Sequence, residues 1–417
     1  MRHGATILLS LAMLLAALTL DGDSPAAQTE APPEQIPGTR IQVRADGLPP
    51  PFATPSVQNR SKQFAVPLVP PFRTPPGFSV NLFAGDLTHA RALLVASNGD
   101  VLLVESKPGW ITLLRDTDND GVADMRGTFI EGFKGPFGIA IQGDYLYIAD
   151  TVAVWQIPYR VGDDKASGPA RPITARNGLG APKGHWTRSL VFSPDGRRFF
   201  VGVGSTANLV EDPSPHATIQ SFGADGQDQK DFATGLRNPV GIAFYPGTDD
   251  LYAVVNERDN MGDGLVPDFL TRVEPGGFYG WPYSYIGKNP QPKLAGPADL
   301  VARAIVPDVL FRAHSAPLGL VFYEGRQFPE QYRGDAFVAL HGSWNSAKPT
   351  GYMVARVPFK DGKPQGYYES FLTGFWMGGT ERAYVFGRPA GLAVAKDGAL
   401  LVADDGANMI WRVSYGE

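Results

Sequence analysis

Short apolar segments separated by polar turns recur along the chain from residue 78 onward. Each copy consists of an apolar strand, a turn that contains Gly, Asp or Pro, and a second apolar strand. The apolar positions have no helical period, so these segments predict β-hairpins. The copies span 92–105, 136–150, 189–204, 239–256, 317–341 and 389–404.

Most copies continue into a third apolar strand, as at 110–115, 152–158, 352–357 and 409–413. Six copies of a β-meander predict an all-β fold, a six-bladed β-propeller. The segment FSVNLF at 78–83 precedes the first copy, and we predict that it forms the outer strand of the last blade and closes the ring. Two unrelated β-sandwiches are the alternative.

The N-terminal part has a different pattern. A short polar start, an uncharged run over 5–20 and small residues up to Ala27 are typical of a secretory signal peptide. The run is short for a membrane span, although an uncleaved anchor is the alternative. We therefore expect a signal peptide at 1–27, a Pro-rich extended leader at 28–76 and a catalytic propeller at 77–417. The mature protein is then periplasmic or secreted and does not span a membrane.

The amino-acid composition excludes several classes of functional site and argues against one class of partner. The 417 residues include no Cys, which excludes disulfides, Cys-ligated zinc, iron–sulfur clusters and a Cys nucleophile. The net charge is −5, which argues against nucleic acid as a partner because phosphate binding favours a basic surface. The 49 Gly and 37 Pro residues fit a fold of many short strands joined by turns.

Basic or imidazole residues stand directly before each predicted first strand. In a propeller these positions converge on one mouth of the central channel, where they concentrate positive charge. The planar guanidinium group of arginine suits carboxylates and phosphates, so we infer that a small polyanion binds on the axis of the propeller. Pairing with carboxylates at the ends of the second strands is the alternative, and it stays open here. The ring consists of Arg91, Lys134, His185 with Arg188, Arg237 with Asn238, His314 and Arg388.

His185 is the predicted general base, because the ordinary pKa of imidazole lies near neutrality. It belongs to the polar segment GHWTRSL at the entrance of the third copy. His314 and His341 are competing candidates, and a structural role is the alternative for each imidazole.

A second chemical signal is the acidic run DTDNDGVAD at 116–124. Alternating carboxylates followed by Gly form an oxygen-rich loop suited to calcium. The twelfth position is Gly127 and no helices flank the loop, so it is not an EF-hand; a solvated acidic turn is the alternative. The predicted ligands are the side chains of Asp116, Asp118, Asp120 and Asp124 and the carbonyl of Val122.

Two longer motifs occur together, GLRNPVGIAF at 235–244 and EPGGFYGWPY at 274–283. The pair resembles the soluble six-bladed quinoprotein sugar dehydrogenases. HGSWNSAKPTGY at 341–352 and FGRPAGLAV at 386–394 are similar to the sorbosone dehydrogenase-like branch of that family. The resemblance implies pyrroloquinoline quinone (PQQ) bound on the axis with calcium. It also implies oxidation of an aldose or related sugar or polyol by hydride transfer to the quinone.

The resemblance also implies roles for single residues. His185 takes the place of the family's catalytic base, and Arg237, Asn238 and Arg388 take those of cofactor contacts. Arg258 and Asp259 fall where the family offers backbone carbonyls to the cofactor calcium.

The chain departs from the glucose-oxidising members after the second strand of the fifth copy. Those members place a Lys there, whereas this chain has the segment HGSW at 341–344. We predict His341, Trp344 and Arg188 as further cofactor contacts, with Trp344 either stacking on a ring or filling the channel mouth. The departure leaves the particular sugar open.

Two other functions stay open. A lactonase-type propeller hydrolase would hold an axial metal with Glu, Asn and Asp side chains, but the entrances here are basic. A non-catalytic propeller would bind a glycan or a protein partner with the same face. If the chain oxidises a sugar, electrons must pass to a separate acceptor, because the sequence has no haem motif.

Overall fold

The computed structural model describes residues 32–416, and nearly all regular structure in that range is β-strand. The predicted signal peptide and residues 28–31 of the predicted leader lie outside the described residues. Within 32–416, six antiparallel sheets of four or five strands follow one another, and we name them sheets I to VI. Sheet I consists of Ala90–Val95, Val101–Glu105, Trp110–Arg115 and Met125–Glu131. Sheet II consists of Gly138–Gln142, Tyr145–Ala149, Val154–Pro158 and Arg171–Pro172. Sheet III consists of Arg188–Phe192, Arg198–Val203, Thr218–Gly223 and Lys230–Thr234. Sheet IV consists of Pro239–Phe244, Leu251–Val255, Pro267–Arg272 and Val309–Ala313. Sheet V consists of Pro317–Phe322, Ala336–Leu340, Met353–Val357, Tyr368–Leu372 and Arg40–Ile41. Sheet VI consists of Pro389–Val394, Leu400–Asp404, Met409–Tyr415 and Phe78–Ala84.

The predicted hairpins are confirmed as the first two strands of each sheet. Leu190 pairs with Val201 in sheet III, on either side of a turn that contains Gly196 in the left-handed region. The strands predicted to follow as third strands are also present, with small differences at their ends. Both faces of these sheets are covered, which explains continuous apolar runs in place of strict alternation.

The chain closes on itself through sheet VI. Phe78–Ala84 pairs with the C-terminal strand Met409–Tyr415, with Val80 opposite Val413. This confirms the prediction for the segment at 78–83. The first strand of each sheet packs against that of the next sheet, and sheet VI packs against sheet I. All six first strands line one central cavity of about 140 Å³. This arrangement is that of a β-propeller.

The hydrophobic core lies between neighbouring sheets. Between sheets V and VI it contains the buried side chains of Phe337, Phe371, Leu400 and Trp411. Equivalent apolar layers fill the other interfaces between sheets in the described residues. Burial of these faces is the main favourable contribution to the free energy of folding.

Residues 32–76 run along the surface of the propeller. Arg40–Ile41 extends the outer edge of sheet V, and Lys62–Gln63 pairs in parallel with Tyr384–Val385. The remaining elements are short: the strands Ser284–Tyr285, Asn289–Pro290, Phe359–Lys360, Lys363–Pro364 and Trp376–Gly378, the α-helix Ala298–Ala302, and the 3-10 turns Pro33–Gln35, Ala45–Gly47 and Glu330–Tyr332. Among the described residues, no helix has the length and apolar character needed to cross a membrane.

Candidate functional site

Two adjoining cavities lie at the end of the propeller where first strands begin and second strands end. The histidine cavity has a volume of about 230 Å³ and is lined by His185, Arg237, Asn238, Asn256, Glu257, Asp259, Asp268, His314, Ala316, Trp344 and Asn345. The arginine cavity has a volume of about 610 Å³ and is lined by Arg60, Ser61, Gln63, Arg91, Asn256, Ala316, Leu318, His341, Gly342, Trp344 and Arg388. Three residues line both cavities: Asn256, Ala316 and Trp344.

His185 has the geometry of a base with a defined tautomer. Its Nδ1 atom lies 2.9 Å from the carbonyl oxygen of Ser205 and 3.1 Å from the Ser205 hydroxyl. A carbonyl oxygen only accepts, so Nδ1 carries the proton of the neutral ring and Nε2 carries the lone pair. Burial lowers the pKa of His185 to about 3, and the positive charge of Arg237 adds to this effect. The imidazole is therefore neutral at neutral pH.

Asn238 stands beside His185 with an unused polar atom. Its Oδ1 atom is buried and has no hydrogen-bond partner among the described residues. Gly204 allows both side chains this position, because a Cβ atom there would lie 2.5 Å from Asn238 Oδ1 and 2.5 Å from His185 Cβ. Buried polar groups normally find a partner, so an unused amide oxygen in a cavity wall suits a bound polar ligand.

Arg237 is held in the wall of the histidine cavity by several acceptors. Its Nη1 donates to the carbonyl oxygen of Glu257 at 2.7 Å, and its Nη2 lies 2.9 Å from Asn208 Oδ1 and 3.3 Å from Asp259 Oδ2. Asp259 also accepts from Asn345 Nδ2 at 2.6 Å. Arg237 thus pairs with a carboxylate that follows a second strand, which is the alternative that the sequence left open. This pairing fixes the guanidinium group, and Arg237 still lines the cavity.

Two acidic side chains in the histidine cavity have distinct environments. Burial raises the pKa of Asp268 to about 7, although the backbone N–H groups of Glu257 and Ala316 both donate to its carboxylate. Burial would also raise the pKa of Asp259, but His314 and Arg237 hold it below its usual range. His314 Nδ1 lies 3.7 Å from Asp259 Oδ1. Asp259 therefore carries a fixed negative charge in the cavity, and Asp268 titrates near neutrality.

The arginine cavity contains a second histidine, which is paired. His341 Nε2 donates to Asp405 Oδ1 at 2.7 Å, and burial with Arg388 nearby lowers the pKa of His341 to about 4. Arg388 donates from Nε to the carbonyl oxygen of His341 and from Nη2 to that of Gly342, at 3.0 and 2.7 Å. Asp405 also accepts from Arg91 Nη1 at 2.8 Å.

Trp344 and Arg91 complete the walls. Trp344 is 39% exposed although it lines both cavities, so its ring can contact a bound molecule. Arg91 is 8% exposed, and its Nε atom has no partner among the described residues. Burial lowers the pKa of Arg91, while Asp405 opposes this effect.

The side chains of two predicted residues, Arg188 and Arg258, are engaged by neighbouring loops; the prediction for Arg258 concerns its backbone carbonyl. Arg188 lines neither cavity; its Nε and Nη1 atoms donate to the carbonyl oxygens of Leu179 and His185, each at 2.9 Å. The guanidinium of Arg258 is buried and donates to Glu257 Oε2 at 2.9 Å and to Ser284 O at 2.7 Å. Both side chains therefore hold loops. Sequence position could not reveal this, because it does not give the direction of a side chain.

The carbonyls predicted to meet the cofactor calcium have protein partners. The carbonyl oxygen of Asp259 accepts from Asn208 Nδ2 at 3.0 Å, and that of Arg258 lies 3.5 Å from Val266 N. Each carbonyl has a second lone pair, so these contacts leave room for a cation. The other predicted entrance cation, Lys134, is exposed and lines neither cavity.

The acidic loop lies at the opposite end of sheet I. Carboxylate oxygens of Asp116, Asp118 and Asp120 all lie within 4.8 Å of one another. Asp124 is not part of this group, because its carboxylate accepts from Thr117 N at 3.2 Å and from Thr117 Oγ1 at 2.5 Å. Val122 N donates to Asp120 Oδ1 at 2.8 Å. Three of the predicted side-chain ligands are thus brought together.

Sequence reasoning missed several lining residues. Asn256 and Asp268 belong to sheet IV or its loops, and the position of Asn256 after a second strand was a usable signal. Arg60 and Gln63 come from the leader. No repeat pattern covers that segment, so no sequence signal indicated their place in a cavity wall.

Two curated proteins are similar to this chain in sequence. A curated pyrroloquinoline quinone-dependent pyranose dehydrogenase of Coprinopsis cinerea is 27% identical over 331 residues, which cover 68% of this chain and 44% of that protein. An uncharacterized protein of Borreliella burgdorferi is 33% identical over 237 residues, which cover 55% of this chain and 61% of that protein. The chain thus matches only about half the length of these curated relatives.

Solved structures share the fold. The holo form of the pyranose dehydrogenase PQQ domain of Coprinopsis cinerea aligns with a TM-score of 0.70 and 21% identity, covering 85% of this chain and 98% of that one. A calcium structure of the carbohydrate-active enzyme family AA12 from Trichoderma reesei has a TM-score of 0.68, 21% identity and coverages of 85% and 99%. The PQQ-bound aldose sugar dehydrogenase of Streptomyces coelicolor has a TM-score of 0.57, 19% identity and coverages of 82% and 99%.

A family model described as TrAA12-like matches residues 72–270 and 299–416. These ranges contain the six first strands, His185, Arg237, Asn238 and Arg388. The resemblance to quinoprotein sugar dehydrogenases read from the motifs is confirmed by the relatives described above. With well over half of its residues matched, this chain belongs to the TrAA12-like family.

Proposed function

We propose that this chain is a PQQ- and calcium-dependent dehydrogenase that oxidises an aldose or a related sugar or polyol. In this proposal the six sheets are six blades, residues 77–417 form the catalytic propeller, 28–76 form the leader, and 1–27 direct export to the periplasm or the medium. The observation that carries the proposal is the neutral, tautomer-fixed His185 beside Asn238 Oδ1, which has no partner among the described residues. The adjoining cavity is lined by Arg60, Arg91 and Arg388.

The residues of the two cavities fit a planar tricarboxylate. Arg388 and Arg91 supply positive charge, and Trp344 offers an aromatic face. Asn238 Oδ1 and Arg91 Nε are buried polar atoms that have no partner within residues 32–416. The arginine N–H groups are well suited to carboxylate and quinone oxygens. Asn238 Oδ1 can only accept, so it suits an N–H or O–H group of the bound molecules. Arg237, Asn238, Arg388, Trp344 and His341 are the residues we assign to the cofactor.

Calcium fits the same region less directly. The carbonyl oxygens of Arg258 and Asp259 would contribute ligands, and Glu257 adds a buried Oε1 atom that has no partner in the described residues. Oxygen donors of this kind are those that calcium prefers.

Each residue then has a definite task in sugar oxidation. His185 Nε2 accepts the proton of the substrate hydroxyl, while Ser205 holds the Nδ1–H and keeps the ring oriented. When bound, the quinone would accept the hydride from the substrate carbon that carries this hydroxyl, which leaves a carbonyl product. Arg237 raises the local potential and disfavours protonation of His185 between turnovers.

The hydrolase alternative has weaker support. Glu257 is engaged by Arg258 at 2.9 Å, and Asp259 is engaged by Arg237 and Asn345. Within residues 32–416, the acidic side chains close enough together to share a metal are those of the loop at 116–120, far from His185.

Reconstitution tests the proposal. The purified chain is incubated with PQQ and calcium, cofactor binding is followed by quenching of tryptophan fluorescence, and dye reduction is measured with a panel of aldoses. We expect saturable binding and turnover with at least one sugar. Absence of binding at saturating calcium would overturn the cofactor assignment, whereas binding without turnover by any aldose would overturn the substrate class. The electron acceptor in the cell is expected to be a separate partner.

A further inference from the structure

The leader forms one wall of the arginine cavity. Asn59 N donates to the carbonyl oxygen of Trp344 at 2.8 Å, and Asn59 Nδ2 donates to Ser346 O at 3.0 Å and to Glu381 O at 2.7 Å. The bonds to Trp344 and Ser346 pin the leader to the loop after the second strand of sheet V, which also supplies Trp344 to the cavity. The bond to Glu381 joins the leader to the segment before Tyr384–Val385.

The leader is pinned a second time just beyond the cavity. Lys62–Gln63 pairs in parallel with Tyr384–Val385, and Gln63 Nε2 also reaches the carbonyl oxygen of Phe386. Arg60 lies between these two attachments, and its own carbonyl accepts from Arg382 Nε at 2.8 Å. The backbone at Arg60 is therefore held in place at the cavity mouth.

Among the described residues, the side chain of Arg60 has no counter-charge. Within residues 32–416 no carboxylate lies at ion-pair distance from its guanidinium, although it lines the cavity together with Arg91 and Arg388. His341 in the same wall is neutral because its pKa is lowered to about 4. One carboxylate, Asp405, pairs with Arg91.

The cavity thus has an excess of positive charge, and a buried donor there is also unused. Arg91 Nε has no partner among the described residues, and Arg91 is more than nine-tenths buried. Concave sites lined by one sign of charge attract the opposite sign, and guanidinium groups favour planar carboxylates.

We propose that Arg60 binds a carboxylate in the arginine cavity, which makes the leader part of the ligand site. The inference deepens the proposed function and rests on it for the identity of the cavity. The family match begins at residue 72, so Arg60 lies outside what the chain shares with the family model. The carboxylate belongs either to the quinone cofactor or to an acidic sugar such as a uronic acid.

The test compares the whole chain with Arg60→Gln and with the control Arg44→Gln. Arg44 is another exposed arginine of the leader, but it pairs with Asp46 outside the cavity. The dissociation constant of PQQ is measured by fluorescence, and KM is measured for glucose and for glucuronate. Loss of a charged hydrogen bond corresponds to roughly a tenfold change or more.

A tenfold weaker PQQ affinity in Arg60→Gln alone assigns the carboxylate to the cofactor. An unchanged PQQ affinity with a tenfold higher KM for glucuronate, and not for glucose, assigns it to the substrate. Equal values for wild type and Arg60→Gln in all three measurements overturn the inference.

A separate readout keeps this inference distinct from the proposed function. If wild type binds no PQQ, the proposed function fails, and binding of glucuronate to the cofactor-free chain is then measured by thermal shift. A glucuronate-dependent shift that Arg60→Gln reduces, and Arg44→Gln and Arg60→Lys preserve, supports the anion site. No such shift in wild type, or an equal shift in Arg60→Gln, overturns it.

Discussion

His341 of sheet V and Asp405 of sheet VI are joined by a 2.7 Å hydrogen bond at the mouth of the propeller. Asp405 also accepts from Arg91, which is the second residue of the first strand of sheet I. Burial would raise the pKa of Asp405, but His341, Arg91 and Arg388 together hold it well below its usual range. One carboxylate therefore ties three successive sheets together where the ring closes.

Asp405→Asn should lower the free energy of unfolding by about 3 kcal/mol, because it leaves Arg91 buried without a counter-charge. Urea unfolding at pH 7 measures this, with the exposed Asp195→Asn as the control. A carboxylate with a lowered pKa stabilises the fold above its unfolded pKa and loses that contribution in acid. The difference between wild type and Asp405→Asn should accordingly shrink below about pH 4; a difference that grows there contradicts this account.

His185→Ala should reduce kcat by roughly 100- to 10,000-fold, as expected for loss of a general base. PQQ affinity should change much less, because the variant keeps the cationic wall. Lys134→Ala is the control, since Lys134 also belongs to the predicted entrance ring but lines neither cavity. Stopped-flow reduction of the reconstituted enzyme separates chemistry from binding.

The pH profile gives a further check on His185. Because its pKa is lowered to about 3, the imidazole stays in the basic form across the mildly acidic range. We expect no loss of kcat/KM from His185 protonation between pH 8 and about pH 5. An acid limb centred near the ordinary histidine value, and absent in a variant without that imidazole, would be inconsistent with the buried neutral base.

Gly204→Ala should disturb the site without removing a polar group. The new Cβ would lie 2.5 Å from both Asn238 Oδ1 and His185 Cβ, so one or both side chains must move. We expect weaker PQQ binding, lower kcat and a stability cost of about 1–3 kcal/mol. Gly127→Ala is the control, because nothing lies within 4 Å of its added Cβ. Equal behaviour of the two variants would show that the close approach at Gly204 is unimportant.

Calcium should raise the melting temperature through the loop at 116–120, independently of the cofactor. A ligand that binds only the folded state stabilises it by mass action. Asp118→Asn should abolish or weaken the calcium-dependent shift, whereas Asp124→Asn should retain most of it because Asp124 bonds to Thr117. PQQ affinity should be equal in both variants, since the loop lies at the far end of sheet I. A calcium shift unchanged in Asp118→Asn refutes the loop as a cation site.

The sequence by itself determined the repeated hairpins, the closing strand at 78–83 and the mouth position of His185, Arg237 and Arg388. These features follow from local pattern: apolar runs set the strands, turn residues set their ends, and the repeat carries every entrance to the same end of the ring. The direction of a long side chain does not follow from such a pattern. Arg188 and Arg258 therefore stand at predicted positions but turn into loops and donate to backbone carbonyls.

Only the tertiary structure decided how the leader contributes to the candidate site, and how Asp259 and Asp405, the carboxylates that follow second strands, contribute to it. Asn59 and Gln63 reach partners more than 280 residues away along the chain, and no local propensity encodes such contacts. Burial likewise decided the charge states, because it lowers the pKa of His185 and His341 and raises that of Asp268. The ring of basic residues was readable from the sequence, but which of its cations are neutralised by Asp259 and Asp405, and which remain for a ligand, depends on packing between sheets.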